Sequence, residues 1–335
     1  MTNNNELPCV AVLMVTYNAQ NYLGDCFDSL VNTNYLPDRW HIIVIDNASS
    51  DDTVPQLNFW KSHFQKLGIM VEVIESKENT GFAGGNNIAA TYTQQFNPDY
   101  LVLLNQDTIT HPDWLKELVA AGEANPNIGI AQSLLLLHPH TNLINSLGNE
   151  IHFLGFGFSR GYRDPYRADE LTSSRAYDIP YASGAAMLVR NSLYKKIGLF
   201  DEKYFMYHED LDLCWRARLR GWSIVLVPAS VVYHKYSFSK SIKKYYFMER
   251  NRFITMLQNY HFLTLITLSP FLLLMELGLL FQALRMGWWR EKLKVYQYFF
   301  SPYAWHDILK KRKEIQGSRV VNEQEALKLF TGRIS

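Results

Sequence analysis

Residues 100–108, YLVLLNQDT, constrain this chain more than any other stretch. The apolar run through Leu104 has the length of a buried strand. It stops abruptly at Asn105-Gln106-Asp107, before His111-Pro112-Asp113 opens a helix. In an open α/β sheet, ligands bind at the carboxyl ends of the strands, which makes Asp107 a candidate site residue. Asp is also a favoured helix cap, and on this stretch alone that plainer role stays open.

The preceding segments repeat the arrangement. Val10–Thr16 (VAVLMVT), residues 41–46 (HIIVID) and Met70–Glu75 are strand-length apolar runs. Helical patterns over about 21–31, up to Leu67 and over about 84–95 separate them. Strands alternating with such helices indicate parallel βαβ units in a Rossmann-like, doubly wound, mostly parallel α/β sheet. Residues 79–87, NTGFAGGNN, put glycines at a helix start, where backbone N–H groups can approach an anion. They lack the ending of a P-loop and follow the third strand, against a dinucleotide fingerprint; tight turning alone would also explain them.

Farther along, a helix over 113–123 precedes strands over Ile128–Leu137 and 181–190. The long segment 138–180 is expected to lie over the site. Small residues at 182–186 leave room for a ligand. Residues 200–220 concentrate carboxylates, with Asp210 at a helix start and Leu211, Cys214, Trp215 and Leu219 facing inward. Glu209 and Asp210 suit the helix dipole in any case, and Asp212 and Arg216 read as a helix-surface ion pair. Short strands over 223–227 and 230–233 end at His234, whose plainer role is structural.

Charge divides the chain. Residues 1–235 carry 17 Lys and Arg against 25 Asp and Glu, whereas residues 236–335 carry 16 against 7. The aromatic, basic tail fits an anionic membrane surface better than nucleic acid. Residues 262–284 are long and apolar enough to span a bilayer, but Glu276 near their middle would be costly in lipid. Helices lying in the inner membrane surface, anchored by Trp288, Trp289, Arg290, Lys292 and Lys294, are the expectation; a hairpin packed on the first domain is the alternative. Gln282–Met286 (QALRM) approaches the Gln-X-X-Arg-Trp of processive synthases, lacks its Trp, and reads as coincidence. Three scattered cysteines (Cys9, Cys26, Cys214) fit neither a disulfide framework nor a zinc site. The N-terminus has no signal-peptide pattern, which places the first domain at the cytoplasmic face.

Six motifs in order, VTYN (15–18), VIDNASSDDT (44–53), NTGFAGGNN (79–87), LLNQDT (103–108), SGAAMLVR (183–190) and FMYHEDLDLCWR (205–216), cover about residues 9–235. The set resembles family 2 glycosyltransferases of the GT-A fold, in the rhamnosyltransferase-like branch. The resemblance implies a catalytic domain over 1–235 with a membrane-associated helical tail over 236–335. It implies a nucleotide-diphosphate sugar donor, dTDP-rhamnose for this branch, and a glycan or lipid-linked glycan acceptor. Thr16, Tyr17, Asn18, Asp46, Asn47 and Ser49 would border the nucleotide. Gly81, Phe82, Gly84 and Asn86 would follow its diphosphate, and Asn105, Gln106 and Asp107 would complete the donor site. Asp107 and His234 would hold Mg²⁺ or Mn²⁺. Asp210 would be the catalytic base, with Glu209 second. Asn105 replaces the first acid of the family's Asp-X-Asp motif, which removes one charge from the metal site. A sugar nucleotidyltransferase and an inactive sugar-nucleotide-binding scaffold are the alternatives.

Overall fold

The computed structural model describes residues 7–167, 175–236 and 241–333. The first six residues and residues 168–174 of the segment expected over the site lie outside these. The first half alternates β1 (Val10–Thr16), α1 (Leu23–Val31), β2 (Trp40–Asp46), α2 (Thr53–Lys66), β3 (Met70–Glu75), α3 (Gly81–Thr93) and β4 (Tyr100–Leu104). These strands pair in parallel in the order β3-β2-β1-β4. Their uninterrupted apolar character follows from helices on both faces. Val10, Val12 and Met14 pack with Phe27, Leu57 and Phe64 on one side, and Ala11 and Leu13 pack with Ala89 and Ala90 on the other.

The second half continues with β5 (Thr108–Thr110), α4 (Trp114–Ala124), β6 (Ile128–Leu137), β7 (Ile144–Ser146), β8 (Asn149–Ile151), β9 (Gly157–Ser159), β10 (Tyr177–Asp178) and β11 (Ala186–Arg190). Then come α5 (Asn191–Ile197), α6 (Glu209–Leu219) and β12 (Ser223–His234). Here the expected parallel sheet becomes mixed, because β11 enters antiparallel between β4 and β6. The strand expected over 181–190 is confined to Ala186–Arg190, since the small residues before it leave the ladder. The two short strands expected after 223 are one strand, β12, with an irregular register between Val227 and Val231, where Pro228 has no N–H to donate.

Helix α6 is buried on nearly every side, charged residues included. Arg216 Nε donates to Asp212 Oδ2 at 2.7 Å, as its spacing predicts, yet Asp212 is fully buried and Arg216 only 4% exposed. The expected surface pair is therefore an interior one. It is interior because the tail covers it: α7 (Lys244–Asn259) lies against α6, and Asn259 Nδ2 donates to Asp212 Oδ1 at 2.9 Å.

The remaining tail helices are α8 (Phe262–Met286), α9 (Trp289–Phe300), α10 (Pro302–Gly317) and α11 (Glu323–Leu327). Helices α9 and α10 pack on α7 and α11 on α6. Phe330 beyond α11 meets Trp215 edge-on at 4.8 Å, and Thr331 N donates to Ile151 O. Helix α8 stays open along most of its length: Leu274 is 70% exposed and Phe281 67%. Among the described residues it is the one helix long and apolar enough to cross a membrane. Its Glu276 does not face outward. Lys292 Nζ reaches it at 2.8 Å, Tyr296 donates its hydroxyl at 2.7 Å, and Arg252 stands 3.6 Å away. Glu249 pairs with the same two cations, so a buried four-charge cluster joins α7, α8 and α9.

Candidate active site

The carboxyl ends of β1, β2 and β4 meet along one edge of the sheet. Tyr17 N donates to Gln106 Oε1 at 3.1 Å, tying the end of β1 to that of β4. Asp46 is 2% exposed and accepts from Thr16 Oγ1, Ser49 N and Ser49 Oγ. Its carboxylate organises the loop after β2 in this state. Asn18 accepts from Ser50, and its own N–H donates to Ser49 Oγ. Asn47, 2% exposed, donates to Gly81 O and accepts from Thr80, which pins the glycine-rich segment to β2. Helix α3 starts at Gly81, earlier than the pattern suggested.

The glycines there have steric duties. Gly81 has φ +74, and a Cβ on it would lie 2.3 Å from Phe205 O; one on Gly84 would meet Thr80 at 2.7 Å. Asn86 is buried and donates to Phe82 O within its own helix. Of this segment Phe82 alone lines the main cleft.

After β4, Asn105 N donates to Ala185 O, and the chain turns into β5, which pairs antiparallel with β12. This register sets Thr108 opposite His234 and lets Lys235 N donate to Asp107 O. Two residues 127 positions apart in sequence thus become neighbours: His234 Nε2 lies 3.2 Å from Asp107 Oδ1. On the other side His234 Nδ1 lies 2.9 Å from Asn145 Oδ1. With Nδ1–H donating to Asn145, Nε2 turns a lone pair toward the carboxylate, and either a shared proton or a cation completes that pair. One carboxylate and one imidazole would suit a divalent ion, the oxygen serving Mg²⁺ or Mn²⁺ and the imidazole favouring Mn²⁺. Among the described residues no group of three or more His, Cys, Asp or Glu adds to it.

Glu209 and Asp210 open α6. Gly184 N donates to Asp210 Oδ2 at 3.2 Å and Leu211 N to Oδ1 at 2.8 Å. Burial outweighs these bonds and pushes the Asp210 carboxyl up to about 6. Burial, and then the neighbouring Asp210 charge, drive Glu209 well above the usual carboxylate range. Burial thus favours the protonated form of Glu209 more strongly than that of Asp210, the more readily ionised of the two. The loop before them is bent: Phe205, Tyr207 and His208 have φ +61, +68 and +70. Left-handed non-glycine residues cost about 1–3 kcal/mol each and persist where surroundings over-determine them, commonly at functional sites.

A cleft of about 810 Å³ joins these parts. Phe82, Asn105, Glu209, Asp210 and His234 line it, together with Ser183–Ala185, as the small residues there suggested. Thr16, Tyr17, Asn18, Asp46, Asn47, Ser49, Gln106 and Asp107 stand outside that lining, along the strand ends. Sequence reasoning missed the far wall: Tyr245 and Met248 of α7, Leu279 and Gln282 of α8, and Trp288. Trp288 stacks on Tyr245 with ring centroids 4.7 Å apart. Gln282, in the motif dismissed as coincidence, was the one signal available for that wall.

The chain matches the sequence model for Glycosyl transferase family 2 over residues 11–198. It is 24% identical over 230 residues to an uncharacterized glycosyltransferase of Haemophilus influenzae, covering 68% of this chain and 65% of that protein. It is 29% identical over 246 residues to the N-acetylglucosaminyl-diphospho-decaprenol L-rhamnosyltransferase of Mycobacterium tuberculosis, covering 68% of this chain and 76% of that one. Among solved structures, GalNAc-T7 with UDP, GalNAc and Mn²⁺ superposes with TM-score 0.59 at 16% identity, over 76% of this chain and 48% of that one. The α/β body is thus GT-A-like, and the chain spans less than two thirds of the Haemophilus relative.

Proposed function

Because this chain belongs to glycosyl transferase family 2, in its rhamnosyltransferase-like branch, we propose that it is an inverting transferase. It moves one sugar from a nucleotide-diphosphate donor to a hydroxyl of a glycan, and dTDP-rhamnose is the donor its motifs and its mycobacterial relative favour. The observation that carries this reading is the meeting, in one cleft, of an ionisable carboxylate with His234, whose ring lies 3.2 Å from Asp107 at the sheet's carboxyl edge.

The acceptor hydroxyl attacks the anomeric carbon from the face opposite the diphosphate. A carbon–oxygen bond forms there as the bond to the leaving phosphate breaks. The proton passes to Asp210, whose raised pKa makes it a competent base near neutrality. No covalent enzyme intermediate is needed, and the anomeric centre inverts. Asp107 and His234 would hold Mg²⁺ or Mn²⁺, which when bound offsets charge gathering on the leaving diphosphate. The aromatic far wall offers flat apolar faces to sugar rings, and Glu209 in its protonated form, which burial favours, can donate to an acceptor oxygen.

The acceptor end of the cleft opens beside α8, whose Leu279 and Gln282 line it while its other faces are exposed. An acceptor with a lipid tail could keep that tail in a membrane and its saccharide in the cleft. Peripheral attachment to the inner membrane surface follows, with α8 in the interface and the basic tail facing anionic lipid. In flotation assays we expect the protein to rise with anionic vesicles and to stay bound at about 1 M salt, because apolar burial survives screening. Release by salt alone would reject α8 insertion in favour of electrostatic docking.

Thermal shift against nucleotide-diphosphate sugars, with and without Mn²⁺, tests the donor. Stabilisation should grow with ligand concentration over its dissociation constant. We expect a Mn²⁺-dependent shift with dTDP-rhamnose, abolished by Asp107→Ala. A shift with UDP- or GDP-sugars only would discard rhamnose, and no shift with any donor would remove the transferase reading.

A further inference from the structure

The bent loop before Glu209-Asp210 is gripped from outside the GT-A body. Asn251 of α7, fully buried, directs its Nδ2 at three loop carbonyls: Tyr204 O at 2.9 Å, Met206 O at 2.9 Å and Tyr207 O at 2.7 Å. Its Oδ1 is occupied by Arg250, whose Nε and Nη2 donate to it at 2.9 and 2.8 Å. That fixes the amide's orientation, since only Nδ2 can serve carbonyls. Arg250 Nη2 also reaches Lys203 O and Tyr204 O.

Two more contacts come from the same helix. Thr255 Oγ1 meets Tyr204 Oη at 2.8 Å, and Phe247 stacks on Phe205 at 5.1 Å. Every contact falls on residues 203–207, next to the carboxylate pair and opposite the point where Phe205 O accepts from Ala83 N of α3. Neither Asn251 nor Arg250 lines the cleft.

We propose that Asn251, oriented by Arg250, is a positioning residue for the Asp210 carboxylate: it holds the left-handed run at Phe205, Tyr207 and His208, and so fixes where α6 begins. The tail helix α7 is then part of the catalytic apparatus, and the unit required for transfer extends past residue 235. This rests on Asp210 as the base. A purely structural amide would lower stability without separating substrate binding from turnover, whereas a positioning one separates them.

The test uses the full chain with Asn251→Ala, Asn251→Ser and Arg250→Met. Transfer is followed as nucleoside diphosphate release with the donor found by thermal shift. Displacing a catalytic group by about 1 Å can cost about 10²-fold. We expect kcat down about 10²-fold for Asn251→Ala with donor KM within about twofold of the parent, and a smaller loss for Asn251→Ser, which keeps one donor. Hydrogen exchange should speed up at the amides of residues 205–212 in both Asn251 variants and stay unchanged in β1–β4. Parent-like kcat, or parent-like exchange in that loop, would overturn the proposal. If Asn251→Ala does not fold, Asn251→Ser and Arg250→Met carry the same comparison. A folded parent that turns over no donor would instead sink the base assignment, and the exchange result would still decide whether Asn251 holds the loop.

Discussion

Asp210→Asn should reduce transfer by about 10²–10⁴-fold while leaving donor binding intact. That is the usual range for losing a general base, and the amide keeps the shape, although its single oxygen can accept from only one of Gly184 N and Leu211 N. A second consequence has the opposite sign. Because burial raises the folded pKa to about 6 from an ordinary 3.8, the folded state binds the proton more tightly than the unfolded chain. This group's contribution to stability is therefore greatest below about 4 and declines as pH rises through 6. Measured against the parent, the variant should gain stability as pH rises from about 4 to 7. In the parent, transfer should rise with pH through about 6 and level off, since the ionised form is the active one. The groups facing Asp210 are Glu209 on its own helix, Tyr181 beside the cleft and Cys214 one turn on; burial raises the pKa of each and so disfavours its charged form. An active Asp210→Asn enzyme would return the base to Glu209 or remove the inverting scheme. A pH-independent rate between 5 and 7 would count equally against Asp210.

Asp212→Ala should cost stability rather than chemistry. It leaves the Arg216 guanidinium, 4% exposed, without its carboxylate, although bonds to Ile197 O and Leu199 O remain, and it strips Asn259 Nδ2 of an acceptor. Breaking one side of a buried pair typically costs about 3–5 kcal/mol. For a chain of 335 residues that is a fall in Tm of roughly 4–7 °C by calorimetry. Replacing both partners by apolar residues, Asp212→Leu with Arg216→Met, should be milder, because no buried charge is left alone. A single variant that melts within about 1 °C of the parent would show that water reaches the pair and that the interior reading is wrong.

These two neighbouring aspartates also show how far the sequence could be read. The strands and their ends were legible because period and bulk depend on local residues: β1, β3 and β6 begin and end where the apolar runs do. The placing of Asp210 at a helix start was legible for the same reason. The antiparallel entry of β11 was not, since its residues look alike in either direction. The burial of Asp212 and Arg216 was hidden because their i,i+4 spacing is that of a surface pair, and what covers them, α7, comes about forty residues later. The far wall of the cleft lay in the tail for a similar reason. Trp288 read as an interfacial anchor, and only the fold shows it and Tyr245 lining the same cleft as the carboxylates. The glycines at 81 and 84 had two readings, and their steric contacts supply a packing reason that does not depend on a ligand.

The packing of Phe330 on Trp215 and of Thr331 on Ile151 has a bearing on biosynthesis. A ribosome adds about 5–20 residues per second, so some ten seconds separate the appearance of Asp210 from that of Phe330. Through that interval the α/β body can pair its strands and α7 can reach the loop, but α6 lacks the last of its cover, the Phe330 ring on Trp215. A nascent chain would therefore hold nearly all of the residues proposed to border the nucleotide before the distal segment packs on the first, so the last contacts of the fold form late.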